Sequence, residues 1–295
     1  MESIAQAPLP LDWYTDPDAF SRERRALFAD AWQMIGRADQ LAEPGAYVCA
    51  NLAGFPVFVM RDAEGALGAF RNACRHQNLP VLENGVGTSK LLRCRYHGWT
   101  YDFSGAFVAA PPMVAPPDPK SPDHHLPCIG VAEWRGLVLI NPDPAVPSPM
   151  AALDTLVPRE RAPLEQWRFR GEIVTDFNCN WKILADRYAG SGEDWYFPGL
   201  AVDADGTRVI VHQIVPRTHL RSRVVRHLYF PDGVDAGVIE AAVANAEEAA
   251  ARDKARADAA QESCVGGNLP PEPPPGEAFA AFRVRIRAVH AQGPG

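Results

Sequence analysis

Asn72-Ala73-Cys74-Arg75-His76, then seventeen residues, then Cys94-Arg95-Tyr96-His97-Gly98-Trp99 is the stretch around which the chain is organised. Each short arm carries one cysteine and one histidine, so two thiolates and two imidazoles can meet at one place. Thiolates suit zinc or iron–sulfur clusters, and imidazole suits either. Order separates them. A zinc finger usually runs Cys, Cys, His, His. Here the two types alternate, and each arm offers one of each.

The second arm continues Gly98-Trp99-Thr100-Tyr101-Asp102-Phe103-Ser104-Gly105. Arms and tail together resemble the Rieske domain, whose [2Fe–2S] centre holds one iron by two cysteines and the other by two histidines. The resemblance implies that Cys74 and Cys94 hold a buried iron, and that His76 and His97 hold an outer one. Neutral imidazoles make such a cluster less negative, which raises its potential to roughly −150 to +300 mV. The family often has Arg-Gly after the first histidine. Gln77-Asn78 stands there instead, which bears on the turn of that loop and its local charge.

The remaining composition narrows the setting. A chain of 295 residues, 47% hydrophobic with net charge −7, can build two domains with real cores. No run approaches the roughly 18 apolar residues of a membrane span. Met1-Glu2-Ser3-Ile4-Ala5-Gln6 has neither the basic nor the apolar region of a signal peptide. Cys49, Cys128, Cys179 and Cys264 are scattered, as reduced thiols of a cytoplasmic protein would be. Nothing favours nucleic acid or membrane as a partner.

In chain order, Asp16 can cap a helix with Pro17 in its first turn, and Phe20, Leu27, Phe28, Ala31 and Trp32 recur at helical spacing. Short strands follow at Tyr47–Leu52, Val57–Arg61 and Ala66–Arg71, with Ala53-Gly54 and Asp62–Gly65 as hairpin signals. Two more are expected beside Cys94, and another at Gly136–Asn141. The Pro-rich Ala109–Pro127 reads as an irregular loop, and prolines from Pro142 to Pro163 forbid regular pairing. Strands near Arg168–Phe177, Thr207–Pro216 and Leu220–Phe230 come next. Asp235 can cap a long Ala-rich helix to about Glu262, its buried stripe drawn through Val238, Ala242, Val243, Ala246 and Ala249. Pro270–Pro275 breaks the chain before a last helix, Glu277–Val289.

This order, with Asn180-Trp181-Lys182, resembles the α subunit of Rieske non-haem iron oxygenases. The expected class is α+β, a small antiparallel Rieske domain inserted in a shortened catalytic-like domain whose sheet wraps a long helix. The expected divisions are residues 1–39, a helical segment packing on the C-terminal domain; 40–145, the Rieske domain; 146–166, a Pro-rich linker; and 167–295, the degenerate catalytic-like domain.

The family carries a mononuclear iron on two histidines and a carboxylate. Matched from Asn180, the first histidine falls on Asp194 (or Glu193), the second on Gly199 (or Pro198), and an acid that bridges to the neighbouring subunit on Ser191 (or Gly190). No histidine stands between His125 and His212. Asp258 lies where the third ligand belongs, and only about ten residues precede strand Val209–Pro216, where the family has a longer pocket wall. The expectation is that the mononuclear iron is absent. His212, His219 and His227 offer a relocated site, though Arg217, Arg221, Arg223 and Arg226 make that region cationic.

Three functions are compatible with this reading. One is an electron-transfer component, serving the iron of a full-length homologue in a mixed oligomer, a trimer by family precedent, and reduced by a ferredoxin or flavin reductase. Another is a self-contained oxygenase with a non-standard metal site on Glu193, Asp194 or Asp258. The third is a redox sensor or scaffold.

Overall fold

The computed structural model describes residues 7–112, 118, 120–190, 194–270 and 277–291. Two compact units emerge, one from residues 29–149 and one from the flanking segments 1–28 and 150–295.

The inner unit is antiparallel β throughout. Its strands are β1 Gln33–Arg37, β2 Ala46–Leu52, β3 Phe55–Arg61, β4 Leu67–Arg71, β5 Gly85–Thr88, β6 Leu92–Arg93, β7 Thr100–Tyr101, β8 Phe107–Ala109, β9 Gly130–Trp134 and β10 Leu137–Asn141. They form three sheets, ordered β1-β10-β9, β4-β3-β2-β5 and β6-β7-β8. Ala53 and Gly54 both have positive φ (49° and 86°) between β2 and β3, the paired left-handed turn that matches strand twist. The expected strands are present, and Gly136, at φ 83°, belongs to the turn before β10. The helical spacing read through Ala31 and Trp32 ends at Phe28, and Gln33–Arg37 is strand because β1 pairs with β10. That pairing draws residues 33–37 into this unit, which starts before residue 40.

In the outer unit, α1 (Pro17–Glu23) is capped by Asp16, whose carboxylate accepts the N–H groups of Asp18 and Ala19. α2 (Met150–Leu156) lies inside the Pro-rich stretch; no strand is described there. β11 (Arg168–Phe177), β12 (Asp194–Tyr196), β13 (Leu200–Ala204), β14 (Val209–Thr218) and β15 (Arg221–Phe230) make one sheet, ordered β11-β15-β14-β13-β12. Helices α3 (Trp181–Gly190), α4 (Ala236–Val265) and α5 (Glu277–Ala291) complete it. Ile210, Leu228 and Phe230 of the sheet pack on Ala246 of α4, with Ile239, Ala242 and Val243 beside them. The stripe drawn through Val238 needs correction: Val238 is exposed, and the buried line runs Ala246, Ala250, Asp253, Ala257, Gln261, Cys264. Most of Pro270–Pro275 lies outside the described residues.

Asn180-Trp181-Lys182 has a structural task. Asn180 accepts the Lys182 N–H at the start of α3, and its own N–H and amide bond Gln261 and the His219 carbonyl. Trp181 Nε1 and Lys182 Nζ both bond Glu23 of α1, at 2.8 and 2.9 Å. Glu23 and Lys182 are fully buried, so each carries the charge that makes the other tolerable.

Candidate metal centre

The two arms fold into one repeated turn. Cys74 N–H donates to the Leu79 carbonyl (2.8 Å), and Asn78 N–H returns to the Cys74 carbonyl (2.7 Å). In the second arm Cys94 N–H donates to Trp99 (2.8 Å), and Gly98 N–H returns to Cys94 (2.9 Å). Each turn needs a left-handed residue at the same place, supplied by Gly98 (φ 70°) and Asn78 (φ 57°). Asparagine tolerates that region better than other residues with a side chain. Gln77-Asn78 therefore preserves the turn that Arg-Gly makes elsewhere.

Asn72 closes the base of the first arm. Its Oδ1 accepts Val81 and Leu82 N–H, while its Nδ2 donates to the Leu82 carbonyl and Cys49 Sγ. Cys74 and Cys94 are each 1% exposed and belong to the apolar cluster of Phe58, Phe70 and Leu92. His76 is half-buried and His97 exposed. Their rings stand 4.6 Å apart at 85°. Two thiols thus form a dry end and two imidazoles a wet one.

Tyr101 touches the dry end. Its oxygen accepts Arg75 N–H (3.0 Å), which leaves its own hydrogen for Cys74 Sγ, 3.1 Å away. Burial pushes the Cys74 thiol above its ordinary pKa, against the pull of the Tyr101 hydroxyl. A thiolate there requires positive charge close by, which iron supplies. His76 Nδ1 is buried with no hydrogen-bond partner. Two buried thiols and two imidazoles, one with an orphaned nitrogen, fit the donor set of a [2Fe–2S] cluster.

The outer unit keeps the other candidate positions apart. Asp194 Oδ1 bonds Arg161 at 2.8 Å. A Cβ on Gly199 would meet the Ile214 carbonyl oxygen at 2.6 Å, since Gly199 lies flat against β14. Asp258 accepts Asn178 N–H (2.8 Å) and pairs with Lys254 Nζ (2.6 Å). Gly190 ends α3, while Ser191 and Glu193 lie outside the described residues. Among the described residues of the outer unit, no three His, Cys, Asp or Glu side chains converge as a metal site. His212 pairs across the sheet with Arg226, and His227 with Val211. Directly opposed residues share a face, so His212 and His227 point to opposite faces.

Sequence reasoning missed Asp253. It projects from α4 onto the sheet, and its two oxygens bind Arg187 (2.8 Å) and Arg226 (3.1 Å). Arg226 also reaches Tyr188 Oη and Thr175 Oγ1. His212 sits 4.9 Å from the Tyr188 ring. Burial, then the charges of Arg226 and Arg187, holds its pKa far below the usual histidine value. The missed signal was an acid on the alanine stripe, three residues after Ala250 and four before Ala257.

A Rieske [2Fe–2S] domain model matches residues 31–130. Choline monooxygenase of Spinacia oleracea is 31% identical over 250 residues, covering 79% of this chain and 54% of that protein. Chlorobenzene dioxygenase subunit α of a Cupriavidus species is 28% identical over 194 residues, 59% of this chain and 40% of that one. The chain is a homologue of the Rieske oxygenase α subunits. It spans about half the length of the curated relatives it matches. The quaternary ammonium Rieske monooxygenase CntA shares its fold with a TM-score of 0.80 at 19% identity, over 96% of this chain and 95% of that one. The mixed helix and antiparallel-sheet architecture is that of this oxygenase family. No helix among the described residues is long and apolar enough to cross a membrane.

Proposed function

We propose that this Rieske oxygenase homologue passes electrons to the non-haem iron of a partner subunit and has no mononuclear iron of its own. The observation that carries the reading is the contrast between two sites. The cysteine–histidine arms are complete, while Gly199 is pressed on the Ile214 carbonyl and Asp253 is held by two guanidinium groups. A bound [2Fe–2S] cluster would supply one-electron chemistry. Cys74 and Cys94 would hold its buried end, and His76 and His97 would face outward. His97, the exposed ligand, is the point of exit. Cationic side chains already occupy the carboxylates that a second iron would need. For a quaternary ammonium Rieske monooxygenase of the same fold, inter-subunit electron transfer is described, and a full-length homologue with an intact triad is the partner expected here. A ferredoxin or flavin reductase is the electron source.

The test is metal stoichiometry. Anaerobically purified protein should hold iron and sulfide near two each per chain, and Fe(II) soaking should add no specific third iron. A third iron retained through desalting would reject the reading.

The alternative of a self-contained oxygenase is favoured by the relatives, which are named monooxygenases and dioxygenases. It would use Glu193, Asp194 or Asp258 at an unusual site. Incorporation of labelled oxygen into a substrate by this chain alone would establish it. A cluster that reduces reversibly but transfers to no oxygenase would favour the sensor or scaffold role.

A further inference from the structure

The two candidate histidine ligands have different surroundings, and Trp99 lies against only one of them. Its indole stacks on the His76 ring, centroids 5.4 Å apart and planes 15° from parallel. His97 meets His76 edge to face and remains exposed. Trp99 is itself 5% exposed. Phe107 lies 4.8 Å away on it, and the His124 ring packs at 5.7 Å, nearly perpendicular. His124 is tied to its own loop, with Nδ1 2.8 Å from the Asp118 carbonyl oxygen. The indole is thus braced by the core and by His124, and it presents a flat face to one imidazole.

An imidazole on a flexible stem can rotate about its bond to Cβ, and its ring plane sets the direction in which its nitrogens point. A nearly parallel, offset aromatic ring hinders that rotation and keeps water off one side. Nothing comparable covers His97 among the described ring contacts, where His76 is its sole aromatic neighbour. We propose that Trp99 is a positioning residue: by stacking on His76 it fixes that ring and shields it, leaving His97 as the imidazole open to water and to an electron acceptor. The two arms share a backbone turn but place their histidines two and three residues after the cysteine, and Trp99 stacks on only one of the two rings.

The inference rests on His76 and His97 being the cluster ligands, and the experiment separates the two claims. The full chain is prepared with ¹⁵N-labelled histidine, reduced with dithionite, and examined by pulsed electron–nuclear double resonance. Wild type should show two strong ¹⁵N couplings; their absence rejects the ligand assignment itself. In Trp99→Leu one coupling should shift or broaden beyond the wild-type linewidth while the other stays unchanged, and Trp99→Phe should restore most of the wild-type pattern. Two unchanged couplings, or two that change alike, overturn the positioning role. If Trp99→Leu does not hold its cluster, His124→Ala, which removes only the outer brace, should give the same one-sided change. No change in His124→Ala, or cluster loss there as well, also overturns it.

Discussion

At the scale of single residues, the hydroxyl of Tyr101 has a readable consequence. A hydrogen bond to a thiolate strengthens as the sulfur gains charge, so it favours the reduced cluster. A difference of about 1 kcal/mol between redox states corresponds to roughly 40 mV for one electron. Tyr101→Phe should therefore lower the midpoint potential by some tens of millivolts, on the order of one such bond, as seen by spectroelectrochemical titration. An unchanged potential with a fully loaded cluster would show that the contact does not tune it. His212 supports a second expectation. Arg187 and Tyr188 of α3, Arg226 and His227 of β15, Asp253 of α4 and Arg208 beside β14 surround it or act on it, and the cations and burial hold its folded pKa below the unfolded value near 6.5. Below that pH the unfolded chain binds a proton that the folded chain refuses, so stability falls as pH falls. One unit below, the loss is about 1.4 kcal/mol. Urea unfolding at pH 7.5 and 5.5 should show that loss in wild type and not in His212→Leu.

At the scale of elements, what could be read in advance follows from how strongly each one is patterned. β2, β3, β11, β14 and β15 alternate or carry apolar runs, and their approximate positions were legible. So was α4, where Asp235 marks the start and alanines keep the period. The ligands of the candidate centre were legible because their chemistry lies in two contiguous arms. α3 was not. From Trp181 to Tyr188 only Arg187 escapes burial, so the helix has no polar face to give it a period. β5 is a short piece whose pairing is decided by β2, distant in sequence. Asp253 and Asp258 lie on different sides of α4, because five residues turn a helix by about 140°. The energetic consequence separates them. Asp253→Ala strands Arg226, 2% exposed, and should cost about 3–5 kcal/mol. Asp258→Ala loses a half-exposed pair with Lys254 and should cost about 1 kcal/mol. Equal losses in chemical denaturation would mean that the Arg187–Asp253–Arg226 cluster does not stabilise the fold.

At the scale of the whole molecule, retention of the outer unit asks for a reason. A cluster carrier needs only the inner unit, with its three small sheets and two arms. Yet residues 7–28 and 150–291 supply a five-stranded sheet, five helices among the described residues and buried ion pairs, all costly to keep without use. Assembly provides that use in the proposed reading. In that reading electrons pass between subunits, and the outer unit would serve as the oligomer surface of a chain that donates electrons without receiving them. Mixed with a full-length Rieske oxygenase homologue, it should form a stable hetero-oligomer, detected by native mass spectrometry as a defined ratio of the two masses. Wild-type chain should raise turnover at the partner's iron, whereas Cys94→Ser, which removes a buried cluster ligand, should assemble without raising it. A Cys94→Ser chain that supports turnover as well as wild type would show that the electrons do not come from this cluster. A chain that associates only with itself would remove the partner from the scheme altogether.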